Sequence, residues 1–163
     1  MSKTNSSSKA PEGIDTDSRI RFYKEMLQKH SSVGDFKGAI AVGEECLAFV
    51  SQLQGPGALN ELGQIHYNLS HLQLSSGNIA EAEKQGKLAL KYSTLDNEQN
   101  PDSPHALELL SVVLLGESYR NIEMGKIEAA ETESLQALKI IERIHKTDDP
   151  QMVKALRGVA IVR

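Results

Sequence analysis

The chain has 163 residues, of which 39% are hydrophobic and 25% are charged, and its formal net charge is -4 at pH 7. This composition is typical of one globular domain, and the acidic balance with only 4% aromatic residues argues against a nucleic-acid partner, which needs a basic, stacking surface. No apolar run approaches the roughly 18 residues that a membrane-spanning helix needs, so we expect no membrane partner.

The first segment, residues 1–16, is polar and serine-rich, and it predicts a disordered N-terminal tail ahead of a domain that covers 17–163. It contains no apolar core of a secretory signal. Cys46 is the single cysteine, so the chain cannot form an internal disulfide. We therefore expect a reducing, cytoplasmic location.

The rest of the chain contains a repeated pattern. Three stretches align without gaps from Gly34, Gly77 and Gly125, which are 43 and 48 residues apart. Apolar or small residues recur at the same offsets in the columns Phe36/Ile79/Ile127, Ala39/Ala82/Ala130, Cys46/Ala89/Ala137 and Leu47/Leu90/Leu138. Self-similarity at such a period indicates a repeat architecture.

Apolar residues at three- and four-residue spacing predict helices, and no stretch shows the sustained period of two that is typical of a strand. In chain order the predicted helices cover 17–31, 35–53, 57–75, 78–95, 104–123, 126–146 and 150–162. The fold class is therefore all-α. Pairing successive helices gives units at 17–53, 57–95 and 104–146, followed by a terminal helix at 150–162.

Glycine and proline mark the ends of these helices. Each repeated glycine is expected in the turn between two helices, because it has no side chain to oppose the turn conformation. Pro56, Pro104 and Pro150 are expected just inside the start of the following helix, where the missing N–H is no loss. Ser103 and Asp149 precede two of them as predicted N-caps.

A helix–turn–helix unit with glycine in the turn and small residues at fixed positions resembles the tetratricopeptide repeat (TPR). LGESYRNIEMGKIEAAETESLQAL, residues 115–138, is the stretch most similar to that pattern. These units exceed the standard length of about 34 residues, and ALKIIERIHKTDDPQMVKAL, residues 137–156, is similar to the long repeats of kinesin light chains. The resemblance implies a right-handed α–α superhelix, a TPR-like solenoid of three helix pairs plus a terminal helix. Gly43, Gly86 and Ser134 depart from the TPR pattern, which usually has an aromatic residue in that column.

Residue patterns typical of catalysis or metal binding are absent from the sequence. The Gly-Lys pair at 86–87 is not part of a P-loop, because eight residues rather than four separate Gly77 from Gly86 and neither serine nor threonine follows the lysine. Cys46 falls in a column of small residues and is expected to be inert packing. His66 and His71 are five residues apart, off the spacing at which two imidazoles share a metal on one helix. We expect no enzymatic activity, no cofactor and no metal.

The TPR resemblance implies that the first helix of each unit lines a concave groove that binds a peptide or a helix. The groove residues that it implies are Lys24, Gln28, Tyr67, Asn68, His71, Leu115 and Tyr119. Chaperone-binding TPR domains clamp a C-terminal carboxylate with basic and amide side chains. Lys24 and Asn68 match that clamp, but Val112 and Gly116 replace its last two basic residues, so we do not expect the clamp here.

The function expected from these features is a non-enzymatic scaffold or adaptor for a protein or peptide partner. The alternative is a structural or regulatory segment of a larger assembly that associates through its ends. The stretch QMVKALRGVAIVR, residues 151–163, is apolar on most sides, whereas a terminal repeat normally has a polar outer face. We therefore expect that the chain is a fragment of a longer array or that another chain covers helix 150–162.

Overall fold

The computed structural model describes residues 9–144, which form six α-helices and no strand. Successive helices contact each other along the chain, and α3 also contacts α5. The all-α helix-pair architecture expected from the repeats is confirmed in these residues. The helix predicted at 150–162, and any association through it, lies outside the described residues. The helices are α1 (Thr16–Ser32), α2 (Phe36–Val50), α3 (Ala58–Ser75), α4 (Ile79–Gln99), α5 (Pro104–Glu123) and α6 (Ile127–Ile144).

The largest differences from the predicted boundaries are at the ends of α2 and α4. The helix predicted at 35–53 ends at Val50, and the helix predicted at 78–95 continues to Gln99. The extra turn of α4 contains the buried Asp96, whose carboxylate accepts hydrogen bonds from Asn60 Nδ2 at 2.9 Å and Asn100 Nδ2 at 3.1 Å. A tertiary contact thus stabilises a polar stretch whose own sequence has no strong helix pattern.

The turn within each helix pair has the same hydrogen-bonded geometry. Gly34, Gly77 and Gly125 have φ angles of 74°, 80° and 72°, in the left-handed region that favours glycine. The residue after each glycine donates its N–H to a carbonyl five positions earlier, which is the Schellman arrangement that ends many helices. The predicted role of the repeated glycines is therefore confirmed.

The proline prediction is correct at one position and wrong at another. Pro104 is the first residue of α5, and the Ser103 hydroxyl accepts the N–H of Ala106 at 3.4 Å, as an N-cap does. Pro56 lies outside α3, which begins at Ala58. The loop turns at Gly55 and Gly57, with φ of 105° and 89°, and the helix can begin only after that turn. Asp149 and Pro150 lie outside the described residues.

Two residues of the predicted N-terminal tail contact the helices. Asp15 caps α1, and its carboxylate accepts the Ser18 N–H at 2.9 Å and the Ser18 hydroxyl at 2.7 Å. Ala10 packs against the apolar core formed by α1, α2 and α3. Residues 1–8 of the predicted tail are not described.

The repeated small residues lie where helices pack most closely. The side chains of Ala39, Ala82, Ala89, Ala130 and Ala137 are 0% exposed. The column that departs from the TPR pattern is also buried. A Cβ atom at Gly43 would lie 2.7 Å from Leu69 Cδ2, and one at Gly86 would collide with the carboxylate of Glu117. These glycines therefore let the first helix of the next unit approach closely.

Candidate functional site

The first helices of the three pairs form one surface, which we call the first-helix face (α1, α3 and α5). A cavity of about 250 Å³ between α1 and α3 is lined by Asp17, Ile20, Arg21, Lys24 and Glu61. A second cavity of about 320 Å³ lies between α3 and α5, and we call it the α3–α5 cleft. Its lining residues are Asn60, Gln64, Tyr67, Asn68, His105, Glu108, Leu109 and Val112.

A chain of polar contacts runs from α1 through α3 to α4. Lys24 Nζ lies 2.8 Å from Glu61 Oε2 and donates to Gln64 Oε1 at 3.1 Å. Gln64 Nε2 donates to Asn60 Oδ1 at 2.6 Å, and Asn60 Nδ2 donates to Asp96 Oδ2 at 2.9 Å. The charge of Lys24 is therefore paired within the chain, so Lys24 is not a free cation for a carboxylate ligand.

The other end of the α3–α5 cleft is closed by an aromatic contact. The rings of Tyr67 and His71 meet edge to face with centroids 4.6 Å apart. A Cβ at Gly116 would lie 2.7 Å from Tyr67 Cε2, so the absence of a side chain at this position lets α5 approach α3. Burial raises the pKa of the half-buried Tyr67 phenol. Tyr67 is thus a fixed wall of the cleft.

Most of the residues expected in the groove lie on this face, but they do not form one cluster. Tyr67 and Asn68 line the α3–α5 cleft, and His71 packs on Tyr67 at its end. Lys24 lines the separate cavity between α1 and α3. Gln28 is exposed on α1.

Two further expected groove residues lie toward the end of α5. Tyr119 is 57% exposed. Leu115 is half-buried and packs against two apolar clusters, one containing Ala137 and the other containing Ile141 of α6. The structure thus places Leu115 in the contact between α5 and α6, and it is not among the residues that line the α3–α5 cleft.

Sequence reasoning missed the residues that line the N-terminal half of the cleft. The missed residues are Asn60, Gln64, His105, Glu108 and Leu109, whereas the TPR resemblance already assigns Val112 to a clamp position. A signal was present on α3, because positions 60, 64, 67 and 71 follow the three- and four-residue spacing of one helical face. Extending that face back from Tyr67 would have found Asn60 and Gln64. The pairing of α3 with α5 could be seen only in the structure.

The charges on the two helices that form the cleft are unevenly distributed. α3 contains no lysine or arginine, and its one charged residue is Glu61. The only lysine or arginine of α5 is Arg120, which is 4% exposed and forms a buried ion pair with Glu117. Glu108 is exposed on the cleft and forms no ion pair within residues 9–144.

The residues considered for catalysis have structural roles in the described chain. Cys46 is buried, and desolvation raises the pKa of its thiol to about 11, so a reactive thiolate is disfavoured. The Lys87 side chain is 70% exposed and pairs with Glu83 at 3.1 Å, as expected for a lysine on the surface. His66 stacks on Tyr92 and shares a 2.7 Å hydrogen bond between its Nδ1 and Gln85 Oε1.

Residues 9–144 contain neither a metal-binding cluster nor a helix suited to span a membrane. No group of three or more His, Cys, Asp or Glu side chains is placed to bind a metal ion. None of the six helices combines the length and the apolar character that crossing a membrane requires.

Comparisons with known proteins identify the fold. No protein-family model and no curated protein sequence matches the chain. The crystal structure of BtubC (BKLC) from P. vanneervenii superposes with a TM-score of 0.76 at 18% identity, over 90% of this chain and 57% of BtubC. This chain therefore spans little more than half the length of BtubC.

Two further matches are crystal structures of a kinesin light chain protein from Podosopora anserina with nearly identical TPR-like repeats. Each has a TM-score of 0.42 and 13% identity, over 91% of this chain and 87% of that protein. Superposition at that level does not by itself establish a common fold. The match to BtubC, together with the repeated helix pairs, shows that the chain has a TPR-like repeat fold.

Proposed function

We propose that the first-helix face binds an extended peptide or a helix of another protein, and that the chain is a non-enzymatic scaffold or adaptor. The observation that carries the proposal is Asn68, which lines the α3–α5 cleft and has no hydrogen-bond partner within residues 9–144. A carboxamide has one acceptor and two donor hydrogens, so it can bind both polar groups of a peptide backbone.

Rigidity of the cleft supports the same proposal. Tyr67 is wedged against Gly116, and Asn60 and Gln64 are held by hydrogen bonds that continue to Lys24 and Asp96. A ligand that docks on such a surface orders few protein side chains, so little conformational entropy is lost on binding. The proposal places this interaction in the cytoplasm, supported by the single cysteine, which is buried and forms no disulfide.

Peptide selection with the purified full chain tests this function. A displayed library of random 12-residue peptides would be selected on the wild-type protein, and the recovered peptides would be synthesised and measured by calorimetry. We expect Asn68→Ala to weaken their binding about five-fold, because a net hydrogen bond contributes about 1 kcal/mol. The matched control is Gln99→Ala, which removes an exposed carboxamide at the end of α4.

Equal thermal midpoints of the three proteins, from circular dichroism, would show that any difference arises at the cleft. Recovered peptides that bind Asn68→Ala as tightly as the wild type would contradict the proposed site. Failure to recover any binding peptide would contradict the proposed function.

A further inference from the structure

We infer that the α3–α5 cleft selects a peptide segment with a lysine or arginine side chain, and that the cation of this side chain pairs with Glu108. The inference rests on the proposed function and names the chemistry of its ligand.

Within residues 9–144, no lysine or arginine lines the cleft, and its one basic residue is His105, which is largely neutral at pH 8. α3 contains neither lysine nor arginine, and Arg120 of α5 is buried in its ion pair with Glu117. The nearest lysine toward α1 along the polar chain, Lys24, is already paired with Glu61 and bonded to Gln64. A carboxylate in the cleft would therefore be desolvated without a counter-charge, which is unfavourable.

Glu108, in contrast, provides a negative charge that is available to a cationic ligand. Its carboxylate is exposed at the cleft and has no ion-pair partner within residues 9–144. An ammonium or guanidinium group placed beside it would gain an ion pair without displacing an existing one. The attraction is stronger in a cleft than on a flat surface, because bound peptide excludes part of the screening water.

The apolar lining accommodates the rest of such a side chain. Leu109 and Val112 lie on the same helix as Glu108, one and four positions later, and both line the cleft. Lysine and arginine have long methylene stems that pack on apolar surface while the charged end reaches a polar group. Asn68 on α3 supplies a free carboxamide for the backbone of the same segment. The backbone, the methylene stem and the charged end of the ligand residue would therefore each contact a different group in the cleft.

The test compares the peptides recovered from the random 12-residue library with the starting library, and then follows one of them. We expect lysine and arginine to be enriched in the recovered set. A recovered peptide and its copy with the cation replaced by glutamine would be measured at pH 8 against the wild type, Glu108→Gln and Glu44→Gln. Glu44 is the matched control, since it is exposed on α2 and lies outside the first-helix face.

Glu108→Gln is expected to weaken the cationic peptide roughly two- to ten-fold and to leave the neutral copy unchanged. Glu44→Gln should leave both unchanged, and raising the salt concentration should reduce the difference between the two peptides for the wild type. This pattern would establish a direct coupling between Glu108 and the cation of the ligand.

The outcomes separate this inference from the proposed function. Peptides that depend on Asn68 but show no excess of lysine and arginine, or an excess of acidic residues, would overturn the inference and leave the function standing. Equal effects of Glu108→Gln and Glu44→Gln would also overturn it. A library that provides no peptide dependent on Asn68 would overturn the function itself, and this inference with it.

Discussion

The first and third helix pairs share one backbone arrangement but have different interiors. α1 and α2 pack through an apolar core that includes Ile20, Tyr23, Val42, Cys46 and Val50. The third pair buries more polar residues, namely Glu117, Ser118, Arg120, Asn121 and Ser134, and among them Glu117 faces Gly86 of α4. Both pairs have the same glycine turn and the same buried alanine near the start of the second helix.

The polar interior is built from specific hydrogen bonds. The Ser118 hydroxyl donates to the carbonyl of Ala130 at 2.8 Å, and Ser70 donates to Ala82 in the second pair with the same geometry. The first pair has Leu27 at this position, seven residues before the turn glycine. The turn and the small residues therefore specify how two helices pack, whereas the remaining interior can be apolar or polar. Most polar groups of the third interior are hydrogen-bonded, with Arg120 Nη1 a buried exception within residues 9–144.

The largest expected loss of stability comes from substitutions that should disrupt both helix pairs alike. Ala39 and Ala130 are 0% exposed, so arginine at either position would overpack the helix contact and bury an unpaired charge. We expect Ala39→Arg and Ala130→Arg each to cost more than about 4 kcal/mol of unfolding free energy. Circular dichroism melting would measure the loss, with Glu142→Arg on the exposed face of α6 as control. An unchanged melting midpoint would rule out the shared role of this column.

A second substitution distinguishes the two interiors. Arg120→Met would leave Glu117 buried without its cation, and we expect a loss of about 3–5 kcal/mol. Replacing both residues with methionine should recover most of that loss, because the uncompensated charge is removed. Urea unfolding of the wild type and the two variants measures the difference. If the single and double variants proved equally unstable, lost packing rather than the lost ion pair would explain the lower unfolding free energy.

A third comparison uses the two interior glycines. Gly86→Ala would displace the Glu117 carboxylate from its place beside Arg120, and we expect a net loss of about 1–3 kcal/mol. Gly43→Ala meets the terminal methyl of Leu69 and gains helix propensity of about 1 kcal/mol, so its net change should stay within about 1 kcal/mol of zero. Chemical denaturation of both variants provides the test. Stabilisation by Gly86→Ala would show that Glu117 moves aside at little cost.

The smallest expected effect is a pH dependence of opposite sign in the two pairs. In the third pair, burial raises the pKa of Glu133 more than the hydrogen bond from Asn121 lowers it. In the first pair, Asp35 is the N-cap of α2. The hydrogen bond from the Gly38 N–H lowers the pKa of the Asp35 carboxyl, and the hydrogen bond between Asp35 and His30 lowers it further.

Because the two pKa values shift in opposite directions, stability should change with pH in opposite directions at the two sites. A raised pKa means that the folded protein holds the proton more tightly, so the wild type should lose stability relative to Glu133→Gln as pH rises through that pKa. A lowered pKa has the reverse consequence, and the advantage of the wild type over Asp35→Asn should disappear as pH falls through the lowered pKa and toward acid. Unfolding free energies measured in steps from pH 3 to pH 7 would test both. Differences that do not change with pH would contradict the assigned causes.

The helical architecture could be predicted because its signals are local. The turn glycines, the periodic apolar residues and the Ser103–Pro104 start each act within a few residues of chain, and the structure confirms them. The failures involve non-local effects. The end of α4 is held by Asn60, which is 36 positions from Asp96, and the start of α3 depends on a loop with two left-handed glycines.

The candidate site was predicted less completely for the same reason. Tyr67 and Asn68 were assigned to the groove because the TPR resemblance implies that the first helices line it, and both line the cleft in the structure. Glu108 and Leu109 were missed as cleft residues because a single helix does not reveal which neighbour it packs against. The pairing of Lys24 with Glu61 likewise joins two helices, and it changes a candidate ligand-binding cation into a structural one.

The sequence by itself determined the six helices, the turns between paired helices and the columns where only small side chains fit. Backbone conformation and local periodicity carry that information, and a few neighbouring residues are enough to specify it. Only the tertiary structure decided that α3 and α5 enclose a cleft and that, within residues 9–144, this cleft is lined by no lysine or arginine and leaves Glu108 without an ion pair. Those properties depend on distances between side chains that are distant in the chain, and packing alone sets such distances.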